Sequence, residues 1–325
     1  MSDPNTVAIV YRLFEAALGR IPDAWSLGYQ VALLDAGLDT EGLAQVYAAS
    51  PEFVQRYGAL SNTAFVTQLY ENVLHREPDV AGLAYHVGRL DAGVSRADVL
   101  LGFSESPENI AATAAVTDGI VYVPMVVGTN AADSFTVTPE HTDYEGGAGV
   151  DIASLPGPHD SYLISAGSTT TVRAPDGGVY LLHDVERLHF ADATVAIDTG
   201  VEGHAGAAYR LYQAAFGRAP DQPGLEFQIH AMDEGASWVQ VAANFLASPE
   251  FTAKYGNVAS LDDMQFLTLL HHNMSANPDA FAIQVQLAQL QGGASRADIL
   301  TEVTESYLVP FATDVALLHG IVIGS

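Results

Sequence analysis

The residues best suited to chemistry lie between 128 and 154, where glycines and aspartates fall into a frame of nine. Set in nines, the stretch reads GTNAADSFT (128–136), VTPEHTDYE (137–145) and GGAGVDIAS (146–154). The third nine matches G-G-x-G-x-D-x-U-x at its glycines and its aspartate, with Ala153 a small residue at the apolar position. The first keeps Gly128, Asp133 and an apolar Phe135. The second has lost its glycines and carries Thr142 where the aspartate belongs. Glycines free the backbone to turn and aspartates supply hard oxygens, so the chemistry this pattern suits is the binding of calcium, which takes about six to eight oxygen ligands.

No catalytic constellation stands beside it. His271 and His272 are adjacent and point to different faces of a helix, which makes them a poor metal pair. His183, His189 and His204 are scattered, and no H-E-x-x-H spacing occurs to hold zinc. Asp262-Asp263 reads as solvated loop charge. There is no G-x-S-x-G, no P-loop and no dinucleotide fingerprint. The expectation is that the chain is not an enzyme.

Charge narrows the partners. Twelve Lys and Arg against 39 Asp and Glu give a net charge of −27, which argues against nucleic acid or an anionic membrane surface and suits a setting rich in divalent cations. Lys254 is the sole lysine, and cysteine is absent. The start, MSDPNTVAIVYRLFEAALGR, lacks the basic n-region of a secretory signal. No apolar run is long enough to predict a membrane-spanning helix.

The elements that must carry the turns are set by a fourfold repeat. FGRAPDQPGLEF (216–227) recurs at 18–29, at 74–85 and, more divergent, at 274–285, around Pro22, Pro78, Pro220 and Pro278. A glycine follows at a constant offset (Gly37, Gly93, Gly235, Gly293), then a capping residue (Asp39, Ser95, Ser237, Ser295), then a serine (Ser50, Ser106, Ser248, Ser306). Each copy therefore predicts about four short helices. In the first three, Ser-Pro-Glu opens the last helix with an N-cap, a proline at N1 and an acid on the positive dipole end. Phe14, Tyr70 and Tyr212 precede their prolines by eight residues, with Leu270 as the fourth equivalent, and they read as core. Arg20, Arg76 and Arg218 share one offset and Glu52, Glu108 and Glu250 another. In the last copy both are lost together, as Ala276 and Leu308, so ion pairs Arg20–Glu52, Arg76–Glu108 and Arg218–Glu250 are expected, on the argument that a buried arginine does not outlive its carboxylate.

Between the second and third copies the pattern turns to strands: 119–127 as an edge broken by Pro124, a hairpin about Ala166-Gly167 in 162–174, then 177–182 and 187–198. The predicted fold is mainly α with a β insert (α+β): a helical lobe of two repeats over 5–117, a β-rich, partly roll-like module over 119–200, and a second helical lobe over 204–318.

Two resemblances follow from these residues. The repeat, with YRLYQAAFGRAPDQPGLEFQI and FLASPEFTAKYG, resembles a domain of unknown function found in large secreted bacterial proteins, itself similar to the linker domains of phycobilisomes. The middle, with GGAGVD (146–151) and DVERLHFADATVAID (184–198), resembles the haemolysin-type (RTX) calcium-binding proteins exported by type I secretion, although this chain has one complete nonapeptide where those carry many. In such β-rolls a coil takes two nonapeptides. The turns at Gly128 and Gly146, eighteen residues apart, would then stack and hold one calcium ion at most. Its ligands would be the Asp133 and Asp151 carboxylates with carbonyls of Gly128, Asn130, Gly146 and Ala148. The alternative is a decayed roll in which both aspartates only cap turns. The resemblances imply an extracellular or cell-surface bacterial protein of surface-layer, adhesin or matrix type, exported without an N-terminal signal, whose partners are further copies of itself or surface polysaccharide. A glycan- or ligand-binding protein with a groove between the lobes is the second reading, and an enzyme the third.

Overall fold

The computed structural model of the chain describes residues 3–275, 279–306 and 317–324. It is an α+β structure, more than half helical, with two mixed five-stranded sheets and no closed barrel. The chain divides into two compact units, residues 1–127 with 140–143, and residues 128–139 with 144–325.

The first unit holds α1 (Pro4–Leu18), α2 (Ala24–Asp35), α3 (Thr40–Ala49), α4 (Pro51–Tyr57), α5 (Asn62–Leu74), α6 (Val80–Asp91), α7 (Arg96–Ser104) and α8 (Pro107–Thr117). Its boundaries are local chemistry. Asp23, Asp39, Asp79 and Ser95 each accept a backbone N–H at an N-cap. Gly37 and Gly93 have φ of 108° and 93°, a conformation that side chains resist, and α2 and α6 stop there. Val10, Leu13, Leu43, Phe65, Leu69 and Leu100 are fully buried at its centre, as their helical spacing dictates. Arg12, 4% exposed, gives its guanidinium to Glu105 at the end of α7.

The second unit repeats the plan with α9 (His204–Phe216), α10 (Gln222–Asp233), α11 (Trp238–Ala247), α12 (Pro249–Tyr255), α13 (Asp263–Met274), α14 (Ala280–Gln291) and α15 (Arg296–Ser306). Ser237 and Gln240 make a reciprocal capping box, and Ser295 with Asp298 does the same. His271 is a core residue, its Nε2 2.7 Å from Gln286 Oε1.

The three expected ion pairs are present: Arg20 reaches Glu52 at 3.3 Å, and Arg76 and Arg218 reach Glu108 and Glu250 at 2.7 Å. Burial is not what holds them, contrary to expectation. These guanidinium groups are 36–51% exposed, so no buried charge forces joint loss. Each instead lies over the aromatic ring eight residues before the repeat's proline, Arg20 on Phe14, Arg76 on Tyr70 and Arg218 on Tyr212, at 4.8–5.2 Å from the centroid. In the last copy the ring is replaced by Leu270. Ala276 and Leu308 lie outside the described residues.

The strands are β1 (Met125–Val127), β2 (Ser134–Thr136), β3 (Asp143–Glu145), β4 (Ile152–Ser154), β5 (Leu163–Ser165), β6 (Thr169–Arg173), β7 (Val179–His183), β8 (Arg187–His189), β9 (Thr194–Ala196) and β10 (Ile321–Gly324). In one sheet β3-β7-β6-β5 are consecutive; the other runs β10-β9-β8-β4-β2. The 162–174 hairpin forms as β5–β6, antiparallel. The 119–127 strand shrinks to β1, because Val123 is used otherwise: its N–H bonds the Ala24 carbonyl at 3.0 Å and its own carbonyl packs against Gly28. The second lobe was expected to end at 318, but Ile321–Gly324 returns to pair antiparallel with β9.

Candidate cation site and its acidic cleft

β2, β4 and β8 are parallel neighbours, which sets three turns beside one another. Ser134 faces Ile152 and Ile152 faces Arg187. The first two coils are thus eighteen residues apart in register, and the aspartates Asp133 and Asp151 fall on one rung with Glu186 as the third member. Two residues on, Phe135, Ala153 and Leu188 share a buried rung. The small Ala153 sits between two large side chains, which accounts for its size.

The first turn spans 128–133 and the second 146–151, each between its flanking strands, while the third is only 184–186. The backbone stack is close. Gly128 N–H bonds Glu145 O at 2.7 Å and Gly146 N–H bonds His183 O at 2.9 Å. A Cβ at Gly128 would lie 2.2 Å from Gly146 O, and one at Gly146 would lie 1.8 Å from Asp184 O and 2.6 Å from Asp151 Oδ2. Glycine is required at both positions by this approach. Gly147 and Gly149 take φ of 96° and 129°.

The carboxylates form a ladder. Asp151 Oδ1 accepts the Asp133 N–H at 2.6 Å, and Glu186 Oε2 accepts the Asp151 N–H at 2.7 Å. Asp133 caps its own turn, its Oδ2 accepting from Thr129 N at 2.6 Å and Thr129 Oγ1 at 2.9 Å. Asp151 is completely buried, and its Oδ2 has no hydrogen-bond partner. An orphaned carboxylate oxygen in a glycine-lined cradle fits a hard cation. Of the six residues read from the sequence, Gly128, Asp133, Gly146 and Asp151 converge on the stacked turns, while Asn130 and Ala148 lie on their exposed rim.

Because the third turn is short, the second turn is left uncovered on that side. A cleft of about 630 Å³ opens there, lined among others by Gly149, Asp184, Glu186, Asp198, Glu202 and His204, with no lysine or arginine. Burial pushes the Glu186 carboxyl up to about 7, against the Asp151 N–H that favours its ionised form, and the charges of Asp151 and Asp198 add to the rise. Burial also raises Asp151, against the Asp133 N–H that favours its ionised form, and the charges of Asp133 and Asp184 add to the rise; burial raises Glu145 too, where the charge of Asp184 adds to it.

Beneath the cleft Arg187, 3% exposed, joins β8 to the helices. It meets Asp198 Oδ1 at 2.5 Å and both oxygens of Asp233 at 2.5 and 2.7 Å, and it donates to Glu186 O at 2.7 Å. His204 Nδ1 also reaches Asp233, at 2.8 Å. Burial works to raise the Asp233 carboxyl, but the His204 and Arg187 bonds hold it below the usual range. Elsewhere, His159, Asp160 and Asp192 form an exposed group satisfied by its own contacts, Nε2 to Asp160 at 3.0 Å and Nδ1 to Asp192 at 3.1 Å.

Sequence reasoning missed Asp184, Glu186, Arg187, Asp198 and Asp233 as one assembly. The Asp-Val-Glu-Arg run ahead of an alternating strand was its visible trace. The intervening residues 155–178 and the shortened turn break the frame of nine that would have joined it to the first two coils.

The family described as Domain of unknown function (DUF4214) matches residues 44–113, 206–255 and 242–307, just over half of the chain. The chain belongs to this family. The matched stretches fall on the helical repeats and leave the stacked turns outside. No curated protein and no solved structure matches the chain. No helix among the described residues is long and apolar enough to cross a membrane.

Proposed function

We propose that the chain is a secreted, calcium-associated structural or interaction protein of the bacterial surface or extracellular matrix, with no catalytic role. The observation that carries this reading is Asp151, buried in the stack of glycine turns with one carboxylate oxygen unpartnered. The Asp133 and Asp151 carboxylates, with carbonyls of Gly128, Asn130, Gly146 and Ala148, would hold one calcium between the first two turns, as the likeness to haemolysin-type proteins implies. The helical repeats, with their likeness to phycobilisome linker domains, would be the docking modules, acting between copies of the chain. The net charge of −27 supports the same view, since bound cations relieve repulsion between copies. Calorimetric titration with calcium chloride, wild type against Asp151→Ala, tests the ion, and light scattering with calcium and after chelation tests the assembly. No calcium heat in the wild type, or equal heat in both proteins, leaves the turns as a decayed roll.

A second reading, surface glycan as partner, has one observation in its favour. The second helix of each repeat turns an aromatic outward: Trp25, Tyr85, Phe227 and Phe281 are 41%, 62%, 67% and 76% exposed. The buried Phe14, Tyr70 and Tyr212 are not available for stacking. A glycan-array signal lost in Phe227→Ala would favour this reading.

A further inference from the structure

We propose that a divalent cation of calcium's size binds at the junction of the second and third turns, through Asp151 Oδ2, the Asp184 carbonyl and the Glu186 carboxylate, entering from the acidic cleft. This site rests on the calcium reading above; it shares Asp151 with that ligand set and adds Asp184 and Glu186, which lie outside it.

Geometry carries it. Asp151 divides its carboxylate: Oδ1 faces the first turn, where it accepts the Asp133 N–H, and Oδ2 faces the third, with no partner. At the first junction Asp133 Oδ2 takes two donors from Thr129. At the second, Asp151 Oδ2 takes none. Asp151 Oδ2 and the Asp184 carbonyl both crowd the same point beside Gly146, where a Cβ would stand 2.6 Å from one and 1.8 Å from the other. Two acceptor oxygens gathered around one buried point, one of them a carboxylate oxygen without a donor, are unfavourable there. A hard cation removes that penalty and uses both atoms as ligands.

The surroundings agree. Glu145, Asp151, Asp184 and Glu186 flank this junction, and among the described residues no lysine or arginine hydrogen-bonds their carboxylates. The nearest guanidinium, Arg187, gives its side-chain bonds to Asp198 and Asp233 and only a backbone contact to Glu186. Asp184 has φ of 46°, which turns its peptide toward the second coil. The truncated third turn leaves a route for the ion through the cleft, whose lining at this end includes Gly149, Asp184 and Glu186. Water would complete a coordination shell of about six to eight oxygens.

The test is calorimetric titration of the whole chain with calcium chloride, comparing wild type, Asp133→Asn and Glu186→Gln, with thermal melting in chelator to confirm that each variant is folded. Glu186→Gln keeps an oxygen for the Asp151 N–H and removes the charge. Asp151→Asn, which keeps an oxygen for the Asp133 N–H and removes the charge, serves as the second variant if Glu186→Gln melts early. The expected result is a calcium-binding event weakened at least tenfold in Glu186→Gln, or in Asp151→Asn where it takes its place, and retained in Asp133→Asn. Glu186→Gln binding calcium with wild-type affinity and stoichiometry while Asp133→Asn loses it would overturn this site and leave the first-junction reading standing. Loss in Glu186→Gln alone would retain this site and remove the first-junction one. No binding by the wild type would end both.

Discussion

Arg187 offers the sharpest test of how the β strands and helices of the second unit are joined. Its guanidinium is 3% exposed and lies between Asp198 and Asp233, themselves 9% and 18% exposed. Replacing it by methionine keeps most of the volume and removes the charge. Two carboxylates are then left facing each other with little water, and the Asp198 carboxylate is also committed to the N-terminus of α9, where it accepts the His204 N–H at 2.8 Å. Breaking a buried ion pair from one side costs about 3–5 kcal/mol. For a unit of this size that corresponds to a fall in Tm of about 6–20 °C. Urea unfolding followed by Trp238 fluorescence, in a Trp25→Phe background so that only the second unit is observed, measures it. The triple variant Arg187→Met, Asp198→Asn, Asp233→Asn should recover much of the loss, because the repulsion is gone and the side-chain amide oxygen introduced by Asp198→Asn still caps α9. A loss under about 1 kcal/mol in Arg187→Met, with an unchanged m value, would refute the claim that the pair is desolvated and structural.

Further outcomes follow from the repeats. A Cβ at Gly224 would lie 2.3 Å from the Tyr212 hydroxyl, so Gly224→Ala should destabilise the second unit by about 1–3 kcal/mol in a urea melt and Tyr212→Phe should restore part of it. A double-mutant cycle on Arg218 and Glu250, 36% and 42% exposed, should give a coupling of about 0.2–1 kcal/mol that shrinks with added salt. Asp23, Asp79 and Asp221 are held below the ordinary carboxyl value by the backbone N–H groups they cap. Their contribution is present above the ordinary value of 3.8 and is lost as pH falls through the depressed folded values, so acid unfolding should flatten when all three are changed to asparagine.

Legibility followed the range of the interaction. Helix ends were readable because their causes are adjacent in sequence: Asp39 caps Gly42, Ser237 and Gln240 cap each other, and Gly235 takes its positive φ next to the helix it stops. The Arg–Glu pairs were readable at a distance of thirty-two residues because three copies carried them and one did not. A repeat turns a tertiary contact into a pattern. A second pattern runs beside it: Gly82 and Gly224 occur in the two copies with a tyrosine, and Ser26 and Ala282 in the two with Phe14 and Leu270. Only the structure supplies the reason, a hydroxyl lying where the Cβ would be.

The site shows the opposite case. The eighteen-residue register between β2 and β4 was legible because both turns keep the frame of nine. The third turn has no such frame, since its coil reaches β8 thirty-five residues further on from β4, after a hairpin has been inserted. No periodicity can announce Glu186 as the partner of Asp151, and the strand pairing alone puts them on one rung. The same truncation that hid the third turn from the sequence uncovers the second turn and leaves Asp151 Oδ2 without a donor. Asp133 Oδ2 finds its donors in its own turn, whereas the shortened third turn leaves Asp151 Oδ2 beside an acidic, glycine-lined gap. The departure from the repeat, more than the repeat itself, creates the unpartnered acidic gap on which the proposed cation site rests.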